Sequence, residues 1–230
     1  MKKNLYIFGC SGVGKSICDS IYRSYKYEYE RIYFVDTNES LCGTTYYGKK
    51  VISIRKLNLT DTENQDVIFS FFKPNDIINR YNFIFKIKSD YRFNIVSIID
   101  DMAVISPSAQ IDSGCYIAPG VIIDADSSIG SNCIILFQSV ISREVSIGAN
   151  VFISAGCVFK GSVSICNNNF ISAKSVITKN INNASFINAG VVLNEEINES
   201  SIIGNRKDFI SIKLPDDSNL AQKKLKFFHP

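Results

Sequence analysis

The sequence predicts a small α/β unit followed by an all-β stack of short coils, a parallel β-helix. Three observations carry that prediction. The first is a period of six. Ile105, Ile111, Ile117, Ile123, Ile129, Ile135, Ile141, Ile147, Ile153, Phe159, Ile165, Ile171 and Ile177 are evenly spaced, twelve isoleucines and one phenylalanine. A helix repeats at about 3.6 residues and an ordinary strand at about 2, so neither produces this spacing. In a hexapeptide coil, one apolar residue per short strand points inward and stacks on those above and below. The second observation is turn chemistry between the isoleucines, at Pro119-Gly120, Ile129-Gly130, Ile147-Gly148, Ala155-Gly156 and Gly161. Gly, Asn and Ser tolerate the tight, often left-handed backbone of a corner. The third is an alternation of strand and helix patterns across the first hundred residues. A β-sandwich with accidental spacing is the competing reading.

Taken in order, Leu5-Tyr6-Ile7-Phe8 is a short apolar strand, followed by the loop Gly9-Cys10-Ser11-Gly12-Val13-Gly14. Residues 15 to about 25 have helical spacing at Ile17, Ile21 and Tyr25. Ile32–Asp36 is a second strand, Val67–Phe72 a third, and 75 to about 87 a second helix, with Val96–Ile99 leading to the coils. Three hexapeptides make one triangular coil, so 105–177 supply about four. The phase slips by two after Ile177 and resumes at Ile181, Ile187 and Leu193, a fifth coil. The expected domains are a glycine-loop unit at 1–100, coils at 101–207 and a tail at 208–230.

Composition narrows the function. The chain has 230 residues, 46% hydrophobic, enough for one large or two small domains. A net charge of +3 is too weak to argue for nucleic acid or a membrane surface as a partner. The basic run Gln222–Lys226 reads as a solvated tail. No signal peptide or run of transmembrane length is evident. The seven cysteines include no C-x-x-C pair, which fits reduced thiols, a cytoplasmic location and no metal site. Cys115, Cys133, Cys157 and Cys166 read as small core or corner fillers, and the single histidine is His229.

Residues 9–16, GCSGVGKS, match the phosphate-cradling pattern G-x-x-x-x-G-K-[ST]. Lys15 would then reach the outer phosphates and Ser16 a magnesium ion. The context opposes a nucleotide hydrolase, because the globular part is short and no later strand ends in a magnesium-binding aspartate. The more conservative reading is Rossmann-like. Loop amides at a helix N-terminus favour an anion, and Asp36, some twenty residues on, suits a ribose hydroxyl. A tight turn without a ligand is the bland alternative.

This combination resembles the bacterial sugar acetyltransferases that include the sialic acid O-acetyltransferases and the bacillosamine and perosamine N-acetyltransferases. Residues 5–15 resemble the family's opening strand and glycine loop, with Val13 at a common histidine position. Residues 98–109 (IIDDMAVISPSA) resemble the lead-in to its coils. Residues 201–205 resemble its closing segment, with Arg206 in place of a usual proline. The resemblance implies a left-handed β-helix, a homotrimer, and acetyl-CoA bound between coils of neighbouring subunits. It also implies a nucleotide-linked sugar at Gly9, Ser11, Gly12, Val13, Gly14, Lys15 and Asp36. Carried along the coenzyme groove, it points to Phe152, Ser154, Ala155, Gly156, Ser172, Ala173 and Lys174. The family's catalytic histidine and the acid after it fall on Arg143 and Glu144, and a second histidine falls on Phe152.

That departure selects among reactions. Arginine stays protonated and cannot take a proton from a hydroxyl. An amine whose pKa is about 8 is partly neutral at pH 7 and nucleophilic unaided. Attack on a thioester then needs mainly positioning and oxyanion stabilisation. The expectation is N-acylation of a nucleotide-linked amino sugar for surface polysaccharide. Glu144 would orient the amine or relay a proton, and Arg143 would hold a phosphate or the oxyanion. The alternatives are O-acetylation and a catalytically silent or regulatory trimer. An exposed corner pair is the bland reading of Arg143 and Glu144.

Overall fold

The computed structural model describes residues 2–57, 62–72, 77–198, 200–204 and 212–213. The N-terminal unit is a six-stranded sheet. It comprises β1 (Lys3–Phe8), β2 (Tyr29–Asp36), β3 (Thr45–Tyr46), β4 (Lys49–Ser53), β5 (Asp66–Phe69) and β6 (Asn94–Ile95), in the order β3-β4-β2-β1-β5-β6. All neighbours are parallel except the β3–β4 pair. β1 and β5 are buried along most of their length, which is why both read as unbroken apolar runs. The first helix, α1 (Gly12–Arg23), begins three residues before its expected start. Ser11 caps it by accepting from the Gly14 amide. Helix α2 (Ile77–Asp90) agrees with its expectation from 77 onward; residues 75–76 lie outside the described set. The β3–β4 hairpin and β6 carry no sequence signal strong enough to predict, being two to five residues long.

The coils follow as two-residue parallel strands on three faces. The first face carries Ile99, Ile117, Ile135, Ile153, Ile171, Ile187 and Ile203. The second carries Ile105, Ile123, Ile141, Phe159, Ile177 and Leu193. The third carries Ile111, Ile129, Ile147, Ile165, Ile181 and Ile197. From Ile123 onward every residue of this inner row is buried. The slip after Ile177 shortens one corner by two residues. It recurs between Leu193 and Ile197, so the stack is one coil longer than the spacing suggested, and it also begins earlier, at Ile98–Ile99. Ile212–Lys213 pairs antiparallel with Ser201–Ile202, so part of the segment read as a tail adds a strand to the first face.

From Ile117 on, outside the two shortened corners, a second buried side chain, a small one, sits two residues before each inner position. Cys115, Cys133 and Cys157 direct their thiols at carbonyls of Gly130, Gly148 and Ser172, at 3.2, 3.1 and 3.1 Å. Ser127 and Ser139 do the same with hydroxyls, to Ser142 O and Ser154 O. Three of the four coil cysteines are therefore corner fillers in the core, as composition suggested, while Cys166 is half-buried. From Gly114 on, outside the two shortened corners, the left-handed residue of the corner lies one position earlier. Gly120 and Gly156 occupy it as expected, but Gly130, Gly148 and Gly161 do not. Asp126, Asn132, Gln138, Glu144, Asn150, Ser162, Asn168, Lys174 and Ala184 do, with φ between 54 and 63°.

The small domain is tied to the first coils by polar contacts. Arg23 donates to the buried Asp100 at 2.6 Å, and Lys26 pairs with Asp101 at 2.6 Å. The Tyr27 hydroxyl receives the Ile99 amide (2.7 Å) and donates to the Ile99 carbonyl (3.2 Å). These bonds orient the cavity described next against the β-helix.

Candidate active site

A cavity of about 560 Å³ opens at the C-terminal ends of β1, β2 and β5, the edge at which open parallel sheets bind ligands. Its lip is the glycine loop. Gly9 has φ +100°, and a Cβ there would lie 2.7 Å from Phe71 Cβ, so only glycine lets the loop pass over that residue. At Gly14 a Cβ would lie 2.7 Å from the Phe34 ring. The Gly9 amide donates to Val35 O at 2.8 Å, and the Ser11 hydroxyl donates to Ser70 O at 2.9 Å. The amides of Gly12 and Val13, in the first turn of α1, have no partner among the described residues.

Asp36 organises this lip. One carboxylate oxygen accepts from the Cys10 amide and the other from the Asn38 amide, both at 2.9 Å. Each oxygen keeps a further lone pair for a ligand hydroxyl. Burial, reinforced by the Asp36 charge, pushes the Cys10 thiol up to about 12, so it stays protonated and is no nucleophile at neutral pH.

The cavity lining contains Gly9, Ser11 and Asp36 from the predicted set; Gly12, Val13, Gly14 and Lys15 do not line it. Lys15 turns toward the hairpin, with Nζ 5.0 Å from the Tyr46 ring centroid and 5.8 Å from that of Tyr47. Ser16 bonds back to Gly12 O. The lysine and serine of the phosphate-loop pattern thus serve helix and hairpin. The deeper wall comes from residues that sequence reasoning passed over: Phe71, Phe72, Asn79, Arg80 and Phe83. Arg80 is buried against the coils. It donates from Nε to Phe71 O (2.8 Å), from one terminal nitrogen to Asn132 O (2.9 Å) and Asn150 Oδ1, and from the other to Phe69 O (3.2 Å). Burial lowers its guanidinium to about 10, which still leaves it charged at pH 7. The only sequence signal for it was a basic residue four positions before Ile84 on a buried helix face.

The predicted acyl-transfer residues fall on two edges of the prism. Arg143 and Glu144 form the corner between the second and third faces, exposed. Glu144 accepts from the Ser162 hydroxyl at 2.6 Å and forms no ion pair with Arg143 among the described residues. Ser154-Ala155-Gly156 and Ser172-Ala173-Lys174 stack at the corner between the first and second faces, joined by Lys174 N to Ala155 O at 2.9 Å. One chain therefore does not bring the two groups together. Phe152 lies on the first face in an aromatic row, 4.6 Å from Phe72 and 4.8 Å from Phe170, the latter ring parallel within 2°. Among the described residues no cluster could hold a metal ion and no helix is long and apolar enough to cross a membrane.

Residues 144–179 match the family described as bacterial transferase hexapeptide (six repeats). No curated protein matches the chain. Solved structures match it over nearly its whole length. The acetyltransferase domain of PglB from Neisseria gonorrhoeae, in complex with acetyl coenzyme A, is 18% identical with TM-score 0.78, covering 92% of this chain and 100% of that one. WeeI from Acinetobacter baumannii is 17% identical with TM-score 0.78, covering 91% and 100%. PerB from Caulobacter crescentus, in complex with CoA and GDP-perosamine, is 21% identical with TM-score 0.73, covering 91% and 97%. The fold is thus that of these proteins: a small α/β domain on a left-handed parallel β-helix.

Proposed function

We propose that the protein is an acyl-CoA-dependent N-acyltransferase, acting with acetyl-CoA on a nucleotide-linked amino sugar for surface polysaccharide in the cytoplasm. The observation that carries this reading is the pairing, in one chain, of a lipped cavity at the end of a parallel sheet with six coils. That pairing extends over the full length of an acetyltransferase domain holding acetyl coenzyme A. A second structure of this fold holds CoA and GDP-perosamine together. In the proposed reaction the sugar amine attacks the thioester carbonyl. The N–C bond forms, the C–S bond breaks, and the amine's proton leaves with the CoA thiol. Gly9, Ser11 and Asp36 would hold the nucleoside, with the Gly12 and Val13 amides toward its phosphates. Ser154–Gly156 and Ser172–Lys174 would line the CoA groove.

A homotrimer follows from the same reading. The outward residues of the second face, Val104, Ile122, Val140, Val158, Val176 and Val192, form an apolar stripe; Val104 and Val192 are 63% and 60% exposed. This face lies between the two separated edges. A copy seated on it would cover the stripe and carry one protomer's Arg143–Glu144 edge toward its partner's CoA edge.

The silent-trimer reading has one observation in its favour. Glu144 occupies the left-handed corner position that residues as varied as Asp126, Asn132, Gln138, Ser162, Lys174 and Ala184 fill on other coils, and its carboxylate is held by Ser162. Thiol release from acetyl-CoA, measured with a panel of nucleotide-linked 3- and 4-amino sugars and their hydroxyl counterparts, separates the readings. Turnover on amines alone supports N-acylation. Absence of both turnover and acetyl-CoA binding sinks the enzyme reading. Glu144→Gln slows transfer if the carboxylate relays the proton; an unchanged rate assigns it to the corner alone.

A further inference from the structure

Of the described residues lining the cavity, Arg80 is the only cation and Asp36 the only anion. The two are not equivalent. Asp36 sits at the lip with both oxygens engaged by amides. Arg80 is 2% exposed, and its four hydrogen bonds among the described residues go to neutral oxygens, three backbone carbonyls and the Asn150 amide. A guanidinium has five N–H groups, so one has no acceptor among the described residues. No carboxylate of the described residues forms an ion pair with it. A buried charge with no counterion among the described residues is costly and persists where something else repays that cost. Lys15, the cation that sequence pattern put at the phosphates, is turned away toward Tyr46 and Tyr47.

We infer that Arg80 is the phosphate-recognising charge of the cavity: it receives the diphosphate of a nucleoside diphosphate in the space it lines together with Gly9, Ser11 and Asp36. This rests on the nucleotide-sugar reading above and supplies the cation that reading lacked. The same side chain also joins the two domains. Its two bonds to the Asn132 and Asn150 corners fix the cavity wall to two successive coils, and Asn150 returns a bond to Ile77 O at 2.9 Å. Arg80 also stacks under Phe72, with Cζ 5.1 Å from the ring centroid, and Phe72 meets the aromatic row at Phe152. A diphosphate on Arg80 is therefore registered against the first face of the β-helix.

The test is calorimetric titration of the full chain with UDP, GDP, uridine, guanosine and inorganic pyrophosphate. Arg80→Gln is expected to weaken whichever diphosphate binds by about tenfold to a hundredfold, the range of a charged hydrogen bond, and the matching nucleoside far less. Arg80→Lys, which keeps the charge and loses the fork, recovers part of that loss. Asn150→Asp keeps the side chain's shape and places a carboxylate on the guanidinium, so it lowers diphosphate affinity with Arg80 intact; it decides the matter if Arg80→Gln does not fold. Equal diphosphate affinity in wild type and both Arg80→Gln and Asn150→Asp overturns the inference while leaving the nucleotide-sugar reading standing. So does an equal loss for nucleoside and diphosphate, which marks a structural effect. A wild-type chain that binds neither nucleoside diphosphate nor pyrophosphate overturns both.

Discussion

Replacing Asp36 by Asn separates the lip's architecture from its ligand chemistry. The carboxylate accepts two amide hydrogen bonds at 2.9 Å, from Cys10 and Asn38, one on each oxygen. An asparagine keeps the shape but turns one oxygen into a donor, which meets an N–H. One charge-assisted bond is lost and one amide is left without its acceptor, at about 1.5–3 kcal/mol for a bond to a charged group. Asp36 lies at a half-buried rim rather than in the core, so the lower half of that range applies to stability. At about 1.5 kcal/mol the small domain should melt several degrees lower, given about 4–8 °C per kcal/mol for a domain of this size. If Asp36 also accepts a ribose hydroxyl, nucleotide affinity falls by about a further tenfold, because the ligand loses its charged acceptor. Circular dichroism melts and calorimetry with a nucleoside diphosphate read the two effects on one sample, and KM for the nucleotide sugar should rise with kcat held. A lower melting temperature with undiminished nucleotide affinity would refute the ribose role and leave Asp36 as a strut for the loop. No change in either would refute the account of the lip itself.

Three further outcomes follow from the same geometry. Ile141→Ala empties an inner position between Ile123 and Phe159, and should cost about 2–5 kcal/mol in urea unfolding, with the loss confined to the coils. Val158→Asp places a charge on the apolar stripe; sedimentation should show smaller particles with unchanged circular dichroism, and an unchanged mass would argue against association through this face. For the domain joint, burial raises the Asp100 carboxyl, but hydrogen bonds from Ser20, Arg23 and the Met102 amide outweigh it and hold the group below its usual range. That depressed carboxyl contributes stability that is complete above the unfolded value, about 3.9, and is lost as pH falls through the lower folded value. Asp100→Asn should therefore destabilise at pH 7 by about 1–2 kcal/mol, since the half-exposed Arg23 is screened, and should flatten the melting curve's dependence on pH below about 4. A variant that tracks the wild type through that range would show that Asp100 does not anchor the joint.

The coils were legible because their constraint is one-dimensional. As far as Ile177 each inner position stacks on an equivalent one 18 residues away, so the core's geometry is written directly as a period of isoleucines. The first slip after Ile177 was visible for the same reason. The second, before Ile197, was hidden in the polar run Asn194-Glu195-Glu196, where one isoleucine alone marks the register. The glycine loop was legible too, since Gly9 and Gly14 are positions where backbone and neighbouring side chains leave no room for a Cβ.

What the sequence determined by itself was local and periodic: the coils, the βα loop, the reduced cysteines as corner fillers, and the absence of histidine from the coils. Only the tertiary structure decided which of the motif's side chains face the cavity. Pattern matching put Lys15 with the loop because it is adjacent in sequence, but a side chain on a helix goes where its face points, and here that is toward Tyr46 and Tyr47. Arg80 lines the cavity because α2 packs its back wall onto the Asn132 and Asn150 corners, contacts 52 and 70 residues apart in the chain. The separation of Glu144 from the Ser172–Lys174 corner is likewise a fact of three-dimensional phase. In a triangular coil, a shift of a few residues moves a side chain to a different edge of the prism.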